Sequence, residues 1–308
     1  MKNYDSIIIG SGPAGYSAAI YLARSNIKHL LYTGDIQGGQ LITTTIVENY
    51  PGFSKGILGI KLMNEMYKQA LKFGSIIKNN SILKLKIKKP KHILYTDNGN
   101  KIITKSVIIA TGSLPKKLNI KTEKKFIGLG ISYCATCDGM IFKNKIVAVI
   151  GGGDTALEES IYLSKICKKI YLIVRKNKFK GTIYLQKKIY KIKNIKILFN
   201  YKILKFIGVK KLQYIKLLNK NNYTIIYKKI PGVFIAIGYT PNTLIFKNKI
   251  KMDKDGYIIT YNKSTKTNIP GIFAAGDVQD NKYKQAITSA GTGCMAAIDV
   301  EKYLLKNL

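Results

Sequence analysis

The chain has 308 residues, 46% of them apolar, and a formal net charge of +36. That length suggests two domains with room for two cores. No apolar run reaches the roughly 18 residues of a helical membrane span.

The charge invites a polyanion-binding reading, but its make-up argues against a sequence reader of nucleic acid. Of 52 basic side chains only Arg24 and Arg175 are arginine, and such readers generally use arginine for bidentate and stacking contacts. The lysines are dense over residues 55–130 and 165–266, yet no single helix or arm collects them. They read as a dispersed, solvated surface. The start, "MKNYDSIIIG", lacks the long apolar core and small-residue cleavage site of a secretory signal. The expectation is a cytoplasmic protein, where disulfides are usually transient and catalytic.

"DSIII" predicts a short strand, "GSGPAG" a turn, "YSAAIYLARSN" a helix and "IKHLLYT" a second strand. This is a β-turn-α-β unit with Gly10, Gly12 and Gly15 at dinucleotide-fingerprint spacing. Gly10 allows the tight turn, Gly12 lets backbone approach a pyrophosphate, and Gly15 lets helix and strand pack closely. The strands "ILKLKIKK" and "HILYT", a "DNGN" turn and the apolar strand "SVIIATG" follow. Next comes "SYCATCDGM", with Cys134 and Cys137 separated by two residues and Asp138 directly after. Alone, that spacing fits a metal clip, a structural disulfide, a haem attachment or a redox pair.

A second unit starts at Lys145: strand "KIVAVI", turn "GGGDTA", helix "LEESIYLSKIC" and strand "KKIYLIVRK". Gly151, Gly153 and Ala156 hold its three key positions. Its tail repeats the order of the first: "KILFNYKILKFIG", "LQYIKLL", "YTIIY" and "GVFIAIG". A further strand, "GIFAAGD", precedes the helical "QAITSAGTGCMAAIDVEKYLL". The expected fold is α/β, two Rossmann-like nucleotide-binding domains with the second inserted in the first. The boundaries read as 1–113 and 241–308 for the first domain and 114–240 for the second.

"GSGPAGYSAA", "GGQL", "VENYPG", "IIATG", "CATCDG", "GGGDTALEE", "IPGIFAAGDV" and "QAITSAGTGCMAA" together resemble the bacterial low-molecular-weight thioredoxin reductases, in that family's order along nearly the whole chain. The resemblance implies an FAD domain, an inserted NADPH domain and a homodimer. It implies electron flow from NADPH through FAD and a Cys134–Cys137 disulfide to thioredoxin. It also implies that the second domain swings between two positions, with hinges near residues 113–117 and 239–243.

By the same resemblance the FAD site comprises Gly10, Ser11, Gly12, Pro13, Ala14 and Gly15 around the pyrophosphate, with Thr33 and Gly34 at the end of the second strand. An acid is usual there for the ribose, so Thr33 is a departure. Gly39, Gln40, Leu41 and Asn49 approach the flavin, Thr111 and Gly112 end "IIATG", and Gly276, Asp277, Gln285 and Ala286 form the closing motif. Alternatively, these glycines only make turns.

The NADPH site comprises Gly151, Gly152, Gly153, Asp154 and Thr155. Arg175, with Lys176 and Lys180, stands where an NADP site places cations for the 2′-phosphate. Glu158 is placed near the nicotinamide by resemblance, or is a solvated helix acid.

For the cysteine pair, zinc needs about four ligands, and Cys167 and Cys294 stand alone. Haem attachment needs His after the second cysteine. A redox pair fits, and no metal is expected. Asp138 reads as the proton-handling acid if burial raises its pKa, or as a helix cap, which would lower it.

The partner surface departs from the family. Leu129 stands where relatives can carry Arg, and Met140 and Ile141 stand where many have aromatics. Two other readings therefore stay open: a reductase of another small dithiol or peroxiredoxin-type partner, and a non-enzymatic basic binding protein on a degenerate scaffold.

Overall fold

The structure is a computed structural model that describes residues 3–44, 46–261 and 263–307. The chain divides into two compact units, Met1–Leu114 with Thr240–Leu308, and Pro115–Tyr239. The two connecting segments, Ser113–Pro115 and Tyr239–Pro241, run as a two-stranded ribbon.

In the first unit the strand Asn3–Ile9 lies between His29–Tyr32 and Lys101–Ile109, all parallel. Ile76–Lys78 extends one side and Ile272–Ala274 the other. Ile7, Ile8 and Ile9 are all buried, because the sheet is covered on both faces and its strands read as unbroken apolar runs. Ile8 packs with the helices Pro13–Arg24 and Ala286–Leu305, through Tyr16, Ala18, Ala296 and Val300. Ile7 and Ile9 pack on the other face with Leu85, Leu94 and Phe246.

The strand Lys101–Ile109 serves two partners in turn. Residues 101–104 pair antiparallel with His92–Thr96, and 107–109 pair parallel with Ile272–Ala274. The two helices meet through small residues. A Cβ on Gly293 would lie 2.1 Å from the Ala14 carbonyl oxygen.

The second unit has a five-stranded parallel sheet, ordered Ile131–Ser132, Gly232–Ile235, Ile146–Ile150, Lys169–Val174, Ile195–Phe199. Leu157, Leu163 and Ile189, from the helices Asp154–Ser164 and Ile183–Lys191, share one core cluster with Val147 and Val149. An antiparallel meander, Tyr201–Ile207, Tyr214–Asn219 and Ile225–Lys229, supplies Ile203, Phe206, Ile215 and Leu217 to the cluster on the other face.

One expected strand is two. "KILFNYKILKFIG" breaks at Asn200, whose φ of 61° lies in the left-handed region, which asparagine tolerates better than most residues. Its first half joins the parallel sheet and its second half opens the meander.

Within their own sheets, Ile272–Ala274 and Ile131–Ser132 hold the same outer position, next to the strand that flanks the glycine-turn strand. One comes from the end of the chain and the other from just before the second glycine turn. Each leads into a turn with an aspartate held by a serine, Asp277 by Ser289 at 2.9 Å and Asp138 by Ser132 at 2.6 Å. The cysteine pair thus follows a parallel strand at its carboxyl end, the side on which doubly wound sheets bind ligands.

Candidate active site

The three glycines of the first turn differ in what surrounds them. Gly10 has a φ of 111°, and a Cβ there would lie 2.2 Å from the Ala110 carbonyl oxygen. One on Gly15 would lie 1.9 Å from the Gly10 carbonyl oxygen, while one on Gly12 would meet nothing within 4 Å. Gly10 and Gly15 therefore serve the fold, and Gly12 leaves open room at the start of the helix Pro13–Arg24. That is the shape a pyrophosphate needs: exposed backbone N–H groups with no side chain in front.

Neighbouring loops close on this turn. A Cβ on Gly39 would lie 3.2 Å from the Gly12 Cα. The Ser11 hydroxyl donates to the Thr33 carbonyl at 3.2 Å and accepts from the Gly38 N–H at 3.0 Å. Ser11 thus fastens three segments. The Thr33 hydroxyl donates to the Gly34 carbonyl at 2.8 Å, and Asp35 accepts from Ser81 at 2.5 Å. The Gln40 side-chain amide donates to the Ser113 carbonyl, and Leu41 packs against the core. Asn49 donates to the Gln285 side chain at 3.1 Å. Gln285 caps the last helix and Ala286 starts it.

Gly276 has a φ of 75°, and its Cβ position would lie 2.9 Å from the Ala14 side chain. Burial pushes the Asp277 carboxyl up to about 6, opposed by the Ser289 hydroxyl. Such a half-sunk carboxylate has unspent acceptor capacity for a ligand hydroxyl. Thr111 and Asn242 exchange two bonds of 2.8 Å, the Thr111 hydroxyl to the Asn242 carbonyl and the Asn242 amide to the Thr111 carbonyl. The Asn242 N–H also donates to the Gly112 carbonyl at 2.9 Å. Asn242 lies in the segment 239–243 expected as a hinge, and its contact to Thr111 was not legible there because the two are 131 positions apart.

The second turn repeats the pattern. A Cβ on Gly151 would lie 2.3 Å from the Ala236 carbonyl oxygen and one on Gly152 2.9 Å from Val174, while one on Gly153 would meet nothing. Lys180 and Gly181 donate their N–H groups to the Gly152 carbonyl at 2.7 and 3.1 Å. The loop carrying Arg175, Lys176 and Lys180 therefore folds onto the glycine turn, and all three side chains are exposed. The Thr182 N–H donates to Asp154 at 2.7 Å. Thr155 is exposed beside it. No acid ends the strand Lys169–Val174, so the position suits a phosphate dianion better than bare ribose hydroxyls.

Cys134 and Cys137 are joined in a disulfide, with Cα atoms 5.3 Å apart. Cys134 is the N-cap of a single helical turn, Ala135–Asp138, which contains Cys137. The Cys137 N–H donates to the Cys134 sulfur at 3.2 Å. Both cysteines are half-buried. Asp138 precedes the short 3-10 helix Gly139–Phe142, but its side chain makes no capping hydrogen bond there. It accepts from the Ser132 hydroxyl at 2.6 Å, and burial raises its pKa against that bond. Ser132 also accepts from the Cys134 N–H at 3.0 Å, so one hydroxyl locks the aspartate to the loop.

Behind the pair, Tyr133 donates to the buried Glu123 at 2.8 Å, and the Tyr239 hydroxyl donates to the Tyr133 carbonyl at 2.7 Å. The remaining cysteines differ from each other. Cys167 is buried, but Cys294 is only half-buried.

The glutamate pair resolves unexpectedly. Glu158 is exposed, whereas Glu159 is half-buried and accepts from the Ala135 N–H at 3.4 Å, under the cysteine turn. Sequence marks both as helix acids, and neighbours about 100° apart on a helix cannot be sorted without knowing the packed face. Phe142, the next residue after Met140 and Ile141, is buried. It stacks edge-on against Phe234 in the core, with ring centroids 5.5 Å apart. Met140, Ile141 and Leu129 are exposed, at 52%, 51% and 43%.

Two dinucleotide-type turns in one chain with a half-buried cysteine disulfide define a nucleotide-dependent disulfide oxidoreductase. The family described as pyridine nucleotide-disulphide oxidoreductase matches residues 4–293. A thioredoxin reductase of Buchnera aphidicola subsp. Schizaphis graminum is 49% identical over 99% of this chain and 98% of its own. One of Rickettsia conorii is 45% identical over 97% of this chain and 98% of its own. The crystal structure of thioredoxin reductase from Streptococcus pyogenes matches with a TM-score of 0.93 at 33% identity, covering 99% of each chain. The chain belongs to the pyridine nucleotide-disulphide oxidoreductases, and within them to the thioredoxin reductases. It is an NADPH-dependent flavoprotein reductase whose cofactors are FAD and NADPH.

Proposed function

We propose that the chain reduces oxidised thioredoxin at Cys134–Cys137, with FAD held in the first unit by the Gly10–Gly15 turn and NADPH in the second by the Gly151–Gly153 turn. The observation that carries this reading is the disulfide itself, half-buried beside Asp138 at the carboxyl end of a nucleotide-binding sheet. Bound FAD supplies two-electron exchange between a hydride donor and a disulfide. The protein's part is positioning and proton handling. Gly12 and Gly153 keep the phosphate approaches open, Asp277 offers a carboxylate oxygen to a cofactor hydroxyl, and Arg175 with Lys176 and Lys180 faces the 2′-phosphate. Asp138 donates a proton to the sulfur that leaves when the disulfide opens. Burial keeps it protonated to higher pH than an ordinary carboxyl.

Met140, Ile141 and Leu129 form the apolar part of the thioredoxin-docking face. Their exposure supports this role without the aromatics many relatives carry. Tyr21, Met295 and Ile298, exposed apolar side chains of the first and last helices, support a homodimer. Sparse, unpaired cysteines outside the active pair support a cytoplasmic location, and the dispersed lysines give no specific nucleic-acid site. No helix among the described residues is long and apolar enough to cross a membrane.

One anaerobic experiment tests the reading. NADPH should bleach the flavin absorbance, and oxidised thioredoxin should restore it. Given one arginine among lysines, kcat/KM for NADPH should exceed that for NADH by roughly tenfold or more. A preference for NADH, or a reduced flavin that thioredoxin leaves unchanged, rejects it.

Asp138→Asn should lower the rate of disulfide opening by roughly a hundredfold. In the wild type that rate should fall as pH rises through the raised aspartate pKa, because the donor form is lost. The variant should lack this limb. Stopped-flow rates across pH check both points, and an unchanged pH profile would assign the proton to another group.

A further inference from the structure

We infer that Glu159 is a positioning residue for the redox pair: its carboxyl group, seated under the turn that carries both cysteines, controls how readily the disulfide is reduced. This rests on Cys134–Cys137 being redox-active. Glu159 projects from the helix Asp154–Ser164, which packs against the turn Ala135–Asp138. One carboxyl oxygen accepts from the N–H of Ala135, the fully buried residue next to Cys134. The other oxygen is buried and has no hydrogen-bond partner. A carboxyl group so placed is costly to ionise. Burial pushes its pKa up to about 7, with the Ala135 N–H opposing and the Glu158 charge adding.

The charged groups on the packed elements do not neutralise it. Asp138, on the cysteine turn, is half-buried and bonded to Ser132. Lys187, Lys188 and Lys191, on the helix Ile183–Lys191, are exposed to water. Lys169 on the strand Lys169–Val174 lies over Tyr171, and the strand Ile146–Ile150 has no charged residue.

The coupling follows from charge. Reduction adds two electrons, breaks the S–S bond and, with one proton delivered to a sulfur, leaves a thiol and a thiolate. An ionised Glu159 opposes that new negative charge, and a neutral one does not. Reduction near neutral pH therefore draws a further fraction of a proton onto Glu159. At low pH the group is already neutral and costs nothing. At high pH it is charged, and the disulfide is harder to reduce.

Glu159→Gln keeps the shape and removes the titration. Wild-type and variant holoenzyme would each be equilibrated in dithiothreitol redox buffers from about pH 5.5 to about pH 8.5. After acid quenching and alkylation, the reduced fraction of the Cys134–Cys137 segment would be counted by mass spectrometry. The two proteins should coincide at the acid end. Toward the alkaline end the variant should be easier to reduce, by roughly fivefold in the equilibrium constant. Identical curves at every pH overturn the inference. A constant offset at every pH also overturns it, because that marks a purely structural effect. A disulfide that no buffer reduces defeats the redox reading itself. Flavin recovery with oxidised thioredoxin in the wild type reports separately on the proposed function.

Discussion

Cys137→Ser leaves a folded, flavin-bearing chain that no longer passes electrons to thioredoxin. The disulfide is the route proposed for electrons to leave the chain, and serine cannot form its sulfur–sulfur bond. The substitution is small and the site is half-buried, so packing changes little. The Cys137 N–H contact to the Cys134 sulfur is a backbone donor and survives. Turnover with thioredoxin should fall by roughly 10⁴-fold or more, the scale seen when a reacting nucleophile is removed. NADPH should still bleach the flavin, because that step does not use the cysteines. Steady-state thioredoxin reduction and flavin absorbance measure the two halves. Retained turnover above about one per cent of wild type would remove the pair from its assigned role.

The second large effect separates glycines that sequence treats alike. Gly15→Ala places a methyl group 1.9 Å from the Gly10 carbonyl oxygen, a backbone atom fixed by the turn. The helix must move off the sheet, and the core cluster of Tyr16, Ala18 and Ala19 moves with it. The expected cost is about 3 kcal/mol or more, in the range of severe overpacking. Gly12→Ala meets no protein atom within 4 Å and has a φ of −70°, which any residue adopts. Its stability should stay within about 1 kcal/mol of wild type. The new methyl group instead occupies the approach to the helix start, so bound flavin per chain should fall by roughly tenfold. Thermal unfolding and flavin content, measured on both variants, give opposite patterns. A Gly12 variant that keeps its flavin would move the pyrophosphate elsewhere.

The legible parts of the site were those set within a few residues. The last helix was expected from Gln285 and is capped by it, because small residues and a side-chain cap are local signals. The parallel strands were legible as apolar runs. "KILFNYKILKFIG" was not separable, since a single asparagine can continue a strand or turn it, and only pairing on both sides shows which. Thr33 stood out as a departure from the usual acid. Its hydroxyl turns to the adjacent Gly34 carbonyl, and that orientation has no sequence pattern.

Two glycine turns opening helices, a Cys-x-x-Cys-Asp turn between them and a lone arginine after the second can be read directly from the residues. Those features depend on local sterics and on chemistry that few residue types can perform. It takes the folded chain to tell that Gly12 and Gly153 are open while Gly10, Gly15 and Gly151 are blocked by backbone. Folding likewise sinks Asp138 against Ser132, makes Phe142 core and sets Glu159 rather than Glu158 beneath the disulfide. Each of those outcomes is a matter of burial. Burial is set by residues far apart in the chain, and adjacent side chains on a helix receive opposite environments from the same local sequence.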